Sequence, residues 1–292
     1  MRVVVYGRSF DLKFKNYIID FFNKLNSFNI EIVVYKKFYD FLIKEIDYKP
    51  QIQEIIDKNP NGDSKIDFLF SIGGDGTILE AVTFIRNADI PVIGINTGKL
   101  GFLADIAIEA IPEALKAIFE GKYSIDERIL LRLESPSSLF GKFPYGLNEI
   151  TIQKKSSTMI RVRTYINDEF LNTYRADGLI VATPTGSTAY SLSVGGPILI
   201  PELRNFILAP ISPHNLTVRP IVIPDSSKIT LKLDDENVDY LVSLDHRSKE
   251  VHEPIVLEIS KAEFKIKLLK LKGASFYSTL RNKLMWGADI RN

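Results

Sequence analysis

The chain has 292 residues, of which 45% are hydrophobic and 25% charged, and its net charge is +1. This is the composition of an ordinary globular protein with room for roughly two domains, and the balanced charge argues against a nucleic-acid binder that relies on phosphate contacts. The absence of cysteine excludes disulfides, thiol catalysis and cysteine-based zinc sites. No apolar run approaches about 18 residues, so no membrane span is predicted and the cytoplasm is the expected location.

The first part of the chain alternates predicted strands and helices. Strands are predicted at residues 3–6, 30–35, 67–72 and 91–95. Helices are predicted at residues 16–28, 38–46, 78–85 and 108–119, and residues 52–58 could form another. Strands separated by helices imply a parallel sheet that is covered on both faces.

The rhythm changes near residue 125, where a β-rich region begins. A strand starts at residue 129, and Asn167-Asp168 is a plausible hairpin turn between strands at 159–166 and 169–174. Further strands are predicted at residues 178–182, 219–223, 229–233, 240–244, 254–260 and 264–271. The tail from Tyr277 to Trp286 has the pattern of an amphipathic helix. The predicted division is an α/β domain at 1–126, a β-rich domain at 127–273 and a helix within 274–292 that packs on the first domain.

A glycine-rich turn joins the strand at 67–72 to the helix that follows it. It contains Gly73, Gly74, Asp75, Gly76 and Thr77. Glycines at the start of a helix let backbone amides approach an anion, and the four residues around Asp75 are the candidates for contact with phosphate or ATP. The carboxylate would repel a phosphate unless a cation lies between them or the carboxylate takes up a proton, which suggests phosphoryl transfer. The alternative is a tight turn in which Asp75 caps the helix.

A second polar loop, Asn96–Leu103, follows the next strand of the same sheet. Both loops therefore leave the carboxyl edge of the sheet, where open α/β sheets bind ligands. For Phe102, a place in the core is a simpler interpretation than contact with a ligand. Farther along, Asn148 and Glu149 could present donors and acceptors to an adenine edge or to ribose hydroxyls, although a solvated strand start is the simpler interpretation.

The segment from Arg175 to Pro197 is rich in small hydroxyl residues. Its stretch Thr183–Ser193 combines a polar turn with an aromatic ring, which suits a nucleoside. The competing interpretation makes Ser187 a hydrolase nucleophile, but Ala189 stands where that motif needs a second glycine. The histidines lack metal-ligand spacing, so a metal would be an oxygen-ligated divalent ion, expected to be Mg²⁺ bound with ATP.

Taken together, these segments resemble the NAD kinase (ATP-NAD kinase) family within the diacylglycerol kinase-like superfamily. The resemblance covers most of the chain in order and is most specific at Thr183–Tyr190. It implies transfer of the γ-phosphoryl group of ATP to the 2′-hydroxyl of the adenosine ribose of NAD, giving NADP and ADP. It also implies an α/β domain followed by a β-rich, sandwich-like domain with substrate between them, in a homodimer or homotetramer.

The resemblance assigns roles to individual residues. Asp75 matches the proton acceptor that faces the 2′-hydroxyl group. The positions that match NAD-contacting residues are Asp75, Gly76, Asn148, Glu149, Arg175, Asp177, Thr188, Ala189, Tyr190, Ser191, Leu192 and Ser193.

Two departures from the common pattern stand out. Many bacterial relatives carry Asp-Gly-Gln where this chain has Asp245-His246-Arg247, so Arg247 is not carried over as a substrate contact. Thr158 and Glu80 stand where some relatives have basic residues. A lipid kinase and a non-catalytic nucleotide sensor remain the rival functions, and the retained Asp75 favours catalysis over a sensor.

Overall fold

The computed structural model describes residues 1–60, 65–98, 101–136, 138–234, 239–273 and 275–287. The chain divides into two compact units. The first consists of Met1–Glu127 together with Ile266–Asn292, and the second of Arg128–Lys265. The sequence prediction placed its divisions after residues 126 and 273.

A parallel sheet forms the centre of the first unit. Its strands run in the order β5-β4-β1-β2-β3, with the two-residue β6 beside β5. The central strands β1 and β4 are almost wholly buried and apolar, as strands covered on both faces must be. The strands are β1 (Arg2–Gly7), β2 (Glu31–Tyr35), β3 (Glu54–Ile56), β4 (Phe68–Ile72), β5 (Val92–Asn96) and β6 (Ile106–Ala107).

Helices cover this sheet through apolar stripes at helical spacing. The first helix buries Ile18, Phe21, Phe22 and Leu25, which recur every three or four residues and so share one face. This arrangement confirms the predicted α/β fold with a parallel sheet. The helices are α1 (Lys15–Ser27), α2 (Lys36–Lys44), α3 (Asp75–Ile85) and α4 (Ile111–Phe119), with short 3₁₀ turns at Leu12–Phe14 and Ile108–Ala110.

The possible helix at 52–58 was wrong, because this segment contains strand β3. The spacing of Ile52, Ile55 and Ile56 is typical of a helix, which explains the wrong prediction. The backbone instead pairs in parallel with β2, and such tertiary pairing overrides a weak local preference.

The second unit is built from antiparallel strands in two sheets. One sheet has the order β14-β13-β12-β9-β16-β17, and the other contains β11-β10-β15-β18. Apolar residues from both sheets form one buried cluster, which confirms the predicted β-rich, sandwich-like fold. The strands are β7 (Tyr123–Ser135), β8 (Tyr145–Gly146), β9 (Glu149–Lys154), β10 (Ile160–Ile166), β11 (Glu169–Ala176), β12 (Gly178–Ala182), β13 (Asn205–Ile211), β14 (Ile221–Pro224), β15 (Ile229–Leu233), β16 (Tyr240–Leu244), β17 (Arg247–Val251) and β18 (Ile255–Leu271).

The structure confirms one predicted hairpin but differs from the predictions for two other strands. Asn167 and Asp168 both have positive φ angles, 51° and 65°, and join β10 to β11 as predicted. The two strands predicted at 254–260 and 264–271 are the single strand β18. Strand β13 was missed because Pro210, inside it, is a poor strand residue by sequence rules.

The chain ends in the first unit. The last part of β18 pairs in parallel with β5 through Leu268 and Val92. Helix α6 (Phe276–Leu284) then begins at a capping box in which Ser275 and Ser278 satisfy each other's backbone N–H groups. The remaining short helix, α5 (Tyr190–Ser193), belongs to the second unit. None of the described helices has the length and hydropathy that a bilayer crossing requires.

Candidate active site

Asp75 occupies the first turn of α3, and its carboxylate holds a neighbouring loop. The oxygen atoms accept three successive backbone N–H groups, from Phe102 at 2.9 Å, Leu103 at 3.1 Å and Ala104 at 2.9 Å. The N-cap residue of the helix is Gly74, which offers no side-chain cap. Within the described residues, Asp75 therefore binds the second predicted loop instead of capping its own helix.

Gly101 makes this contact possible. A Cβ atom at position 101 would lie 2.5 Å from Asp75 Cγ, closer than real Cβ contacts come. The loop is also closed on itself, since the Gly101 N–H group donates to the Ala104 carbonyl at 3.0 Å. The Asn96 side-chain amide also donates a hydrogen bond to the Ala104 carbonyl, at 3.3 Å. Residues 99 and 100 of the predicted loop lie outside the described residues.

Helix α6 brings a positive charge to the same carboxylate. The Lys283 ammonium lies 3.5 Å from Asp75 Oδ2 and 4.5 Å from the centre of the Phe102 ring. Phe102 in turn packs against Phe276, with ring centres 6.3 Å apart, so it is a partly buried packing residue. Lys283 could not be predicted as a site residue from sequence, because only the fold brings α6 to this loop.

The glycine turn presents an open backbone beside Asp75. Gly74 and Gly76 are exposed, and a Cβ atom at either position would meet no atom of the described residues within 4 Å. Gly73 has a φ of 148°, a conformation that suits glycine, and its N–H group donates to the Ile95 carbonyl at 2.9 Å. Thr77 is buried beneath the turn. The Thr77 and Ile78 N–H groups donate to the Gly74 carbonyl, at 2.9 and 3.4 Å. The N–H groups of the first two helix residues, Asp75 and Gly76, have no acceptor within the helix.

Glu80, which belongs to the second departure from the family pattern, has its charge matched within the first unit. Arg8, which follows β1, donates from Nε to Glu80 Oε2 at 2.5 Å and forms a second bond through Nη2. Such a two-pronged pair is the geometry that a guanidinium and a carboxylate prefer. The extra acid of this chain is thus paired with an arginine at the same edge of the sheet.

In the second unit, Asn148 and Glu149 lie in a segment that a buried aspartate holds. Asp245 accepts the backbone N–H groups of Leu147 at 2.8 Å, Asn148 at 2.8 Å and Glu149 at 3.2 Å. Asp245 was not predicted as a site residue. In the structure, Asp245-His246 forms the two-residue turn between β16 and β17, and Asp245 has a φ of 51°. Its contact with the segment that begins at Leu147 depends on the fold, because 98 residues separate the two.

The hydroxyl-rich turn holds the same segment from another side. Thr183 donates from its hydroxyl to the Leu147 carbonyl at 2.6 Å and from its backbone N–H to the Asn148 carbonyl at 2.9 Å. Gly186 lies so close that a Cβ atom there would be 2.6 Å from the Asn148 carbonyl carbon. The structure thus places the hydroxyl-rich turn against the Asn148-Glu149 segment, two motifs that are separate in the sequence.

Glu149 is a half-buried acid beside another acid. Burial and the neighbouring Asp245 raise the pKa of the Glu149 carboxyl to about 8. Burial also raises the pKa of Asp245, against three backbone N–H groups and the Arg247 charge, which act in the other direction. Because Asp245 has donors at both oxygens while Glu149 Oε2 is buried without a partner in the described part, we assign the proton to Glu149.

We expect this proton to make stability depend on pH. Between the ordinary pKa of 4.5 and about 8, unfolded Glu149 is ionised while folded Glu149 keeps its proton. The contribution of Glu149 to stability is therefore full below pH 4.5 and falls as pH rises to about 8, by up to about 1.4 kcal/mol per pH unit. Urea unfolding at pH 5, 6.5 and 8 should show a flatter profile for Glu149→Gln than for the parent chain. The control is Glu253→Gln at an exposed glutamate, and a Glu149→Gln profile as steep as that control would contradict the assignment.

The remaining predicted NAD contacts lie at or near α5. The Tyr190 hydroxyl accepts a hydrogen bond from Gln153 Nε2 at 2.9 Å, and the ring packs partly against a buried cluster around Ile180. Ser187 is fully buried, and its hydroxyl bonds to the Pro184 carbonyl at 2.6 Å and to Leu199, which is a structural role unlike that of an exposed nucleophile. The other predicted residues here are Thr188, Ala189, Ser191, Leu192 and Ser193, in the turn and helix that span Thr185–Ser193.

Arg175 and Asp177 have different surroundings from Tyr190. Asp177 is paired with Lys154 at 2.6 Å. Arg175 lines an open cavity of about 490 Å³ together with His214, whose backbone N–H group donates to the Arg175 carbonyl at 2.9 Å. Arg247 donates to the carbonyls of Phe143, at 2.6 Å, and Tyr145, so it supports a loop of the second unit.

Two family models match the chain. The model of the ATP-NAD kinase N-terminal domain matches residues 24–123, and that of the ATP-NAD kinase C-terminal domain matches residues 147–271. Among curated proteins, the chain is 44% identical to the NAD kinase of Flavobacterium johnsoniae, over 100% of both chains. It is 47% identical to that of Cytophaga hutchinsonii, over 88% of this chain and 91% of the relative.

Two solved structures share the fold. The yeast NADH kinase complexed with NADH has a TM-score of 0.85 at 23% identity, covering 100% of this chain and 89% of the other. The NAD kinase of Archaeoglobus fulgidus in complex with ATP has a TM-score of 0.73 at 26% identity, covering 98% and 99%.

Proposed function

The chain belongs to the ATP-NAD kinase family, and from this premise we propose how it performs the NAD kinase reaction. The γ-phosphoryl group of ATP passes to the 2′-hydroxyl of the adenosine ribose of NAD, giving NADP and ADP. Asp75 accepts the proton of that hydroxyl. The observation that carries this proposal is the position of the Asp75 carboxylate, which three backbone N–H groups fix at the carboxyl edge of the parallel sheet.

Asp75 acts mainly by orienting the hydroxyl group. As the hydroxyl oxygen bonds to the γ-phosphorus, the bond from that phosphorus to the β–γ bridging oxygen breaks and its electron pair leaves with ADP. The hydroxyl proton passes to the carboxylate. A carboxylate is a weak base, so positioning and late proton acceptance are the contribution of Asp75, as for the aspartate of protein kinases.

The open glycine turn is the proposed phosphate site. Gly73, Gly74, Gly76 and Thr77 line it, and the N-terminus of the eleven-residue helix α3 favours anions there. The described residues contain no group of three acidic or histidine side chains that could hold a metal ion. Mg²⁺ is proposed to arrive with ATP and to be held chiefly by phosphate oxygens, where it would neutralise charge on the transferred group.

NAD is proposed to contact the turns of the second unit as well as Asp75 and Gly76. The residues concerned are Asn148, Glu149, Arg175, Asp177, Thr188, Ala189, Tyr190, Ser191, Leu192 and Ser193. Support comes from the way Asp245 and Thr183 fix the Asn148–Glu149 segment beside the hydroxyl-rich turn. A homodimer or homotetramer in the cytoplasm remains the proposed state of the protein.

Tyr190→Ala is expected to weaken NAD binding more than it slows chemistry. Its partly buried ring offers a surface to the nucleotide and its hydroxyl is tied to Gln153, so truncation removes packing area near the proposed site. The KM for NAD should rise about tenfold, the equivalent of about 1.4 kcal/mol, with kcat within about threefold of the parent value. Tyr190→Phe, which keeps the ring, is the control. An unchanged KM with a collapsed kcat would contradict this role.

One assay tests the proposed function. Purified protein is incubated with ATP, Mg²⁺ and NAD, and NADP is measured with an NADP-specific dehydrogenase. NADP formation is expected, and parallel reactions with NADH or polyphosphate define acceptor and donor. Binding of NAD without product would indicate a nucleotide sensor, and phosphorylation of a lipid alcohol in place of NAD would indicate a lipid kinase.

A further inference from the structure

Lys283 places a cation against the carboxylate on which the proposed function rests. Its ammonium is 3.5 Å from Asp75 Oδ2, the oxygen that also accepts the Phe102 N–H group at 2.9 Å. The same ammonium lies over the Phe102 ring at 4.5 Å, within the range of a cation–π contact. Helix, ring and carboxylate thus meet at one point of the first unit.

The position of Lys283 is built by packing as well as by charge. The capping box at Ser275 fixes the start of α6, and Phe276 in its first turn contacts Phe102. Lys283 and Asp75 are about one-third exposed, with side-chain exposures of 32% and 29%. An isolated surface pair of this kind would contribute little to stability, so any importance of this pair must come from what happens at Asp75.

Phosphoryl transfer creates a charge problem at this carboxylate. The γ-phosphoryl group is anionic, and it must come within bonding distance of a hydroxyl that is itself hydrogen-bonded to Asp75. Like charges a few ångströms apart repel strongly where water is partly excluded. Two other basic residues of the first unit form ion pairs with other acids: Arg8 pairs with Glu80, and Lys270 pairs with Asp105 at 2.8 Å.

We propose that Lys283 is a positioning residue for phosphoryl transfer, whose ammonium balances the Asp75 charge so that the anionic donor can approach. This proposal rests on the proposed role of Asp75 as proton acceptor. Lys283 acts through Asp75 by keeping the carboxylate oriented and by offsetting its field. The expected signature is a loss in kcat and in ATP use, with little effect on NAD binding.

The test compares Lys283→Met and Lys283→Arg with Arg281→Met. The control removes an equal charge from an exposed position of the same helix. Lys283→Met should lower kcat by about 10- to 100-fold, somewhat less than the loss typical of a direct transition-state donor, because the pair is partly exposed. The KM for NAD should stay within about twofold, Lys283→Arg should recover most of the rate, and Arg281→Met should behave like the parent chain.

Chemical rescue separates a charge role from a packing role. Adding ethylammonium to Lys283→Ala should restore part of the lost kcat, because a small cation can occupy the vacated place, whereas neutral ethanol should not. A loss that accompanies a lowered melting temperature and resists rescue would show a merely structural lysine and overturn the proposal.

Asp75→Asn, assayed in parallel, distinguishes two failures. If Asp75→Asn loses activity and Lys283→Met does not, only the role of Lys283 is wrong. If Asp75→Asn itself turns over normally, the proposed function of Asp75 fails and the inference about Lys283 fails with it.

Discussion

Replacing Asp75 by asparagine is expected to lower kcat by about 10²–10⁴-fold, the usual loss when a proton acceptor is removed. Asparagine has nearly the same shape but cannot take up the hydroxyl proton. The measurement is steady-state NADP formation with both substrates saturating, together with the KM for each. We expect the KM for NAD to change little, since the residues proposed to contact the rest of NAD are untouched.

The hydrogen bonds of Asp75 require a structural control for this variant. The carboxylate accepts from Leu103 and Ala104 through Oδ1 and from Phe102 through Oδ2. An asparagine oxygen can keep the first pair, but its amide group then faces the Phe102 N–H group, donor against donor. This mismatch costs about 1–3 kcal/mol of stability. Urea unfolding of the variant measures that cost separately, and turnover close to that of the parent chain would remove Asp75 from the mechanism.

The parts of the fold that local chemistry determines could be predicted from sequence. The strand–turn–helix around Gly73–Thr77 and the Asn167-Asp168 hairpin depend on residues within a few positions of each other, and both are present in the structure. The position of Asp75 at the carboxyl edge of the sheet follows from the same local pattern.

Contacts that join distant parts of the chain could not be predicted. Asp245 holds Leu147, which lies 98 residues away, and Lys283 reaches Asp75 only because β18 ends beside β5 and directs α6 towards the loop. No periodicity or spacing carries that information. The two wrong strand predictions also depend on distant contacts. Residues 54–56 form strand β3 because they pair with β2, and β18 continues through residues 261–263, where a break was predicted.

One aspartate in each unit holds a loop through the same kind of hydrogen bonding. Asp75 and Asp245 each accept three consecutive backbone N–H groups, from residues 102–104 and 147–149 respectively. Consecutive amides that converge on one carboxylate fix a loop more firmly than a single bond can. In each unit the fixed loop contains, or adjoins, residues proposed to meet substrate, so the carboxylates prearrange the backbone before substrate arrives.

Gly101→Ala should disturb the hydrogen bonding of Asp75 to its loop without altering the Asp75 side chain. The new methyl group would lie 2.5 Å from Asp75 Cγ and 2.8 Å from Oδ2, so either the carboxylate must rotate or the loop must withdraw its N–H groups. Misplacement of a catalytic group by about 1 Å typically costs about 10² in rate, and we expect kcat to fall at least that far. Steady-state kinetics measure the loss, and urea unfolding should show about 1–3 kcal/mol less stability.

Gly98→Ala is the matched control in the same loop, because a Cβ atom there would come within 4 Å of Asn96 Oδ1 alone among the described residues, at an ordinary 3.8 Å. Its turnover should stay within about twofold of the parent rate, the effect expected of a substitution without strain. The double variant Asp75→Asn/Gly101→Ala should be no slower than Asp75→Asn alone, since both changes disable one carboxylate and effects of residues that act as a unit do not add. If Gly101→Ala turns over like Gly98→Ala, the loop contact is dispensable for positioning Asp75. If the double variant instead shows the full product of the two losses, Gly101 acts on the reaction by a route other than this carboxylate.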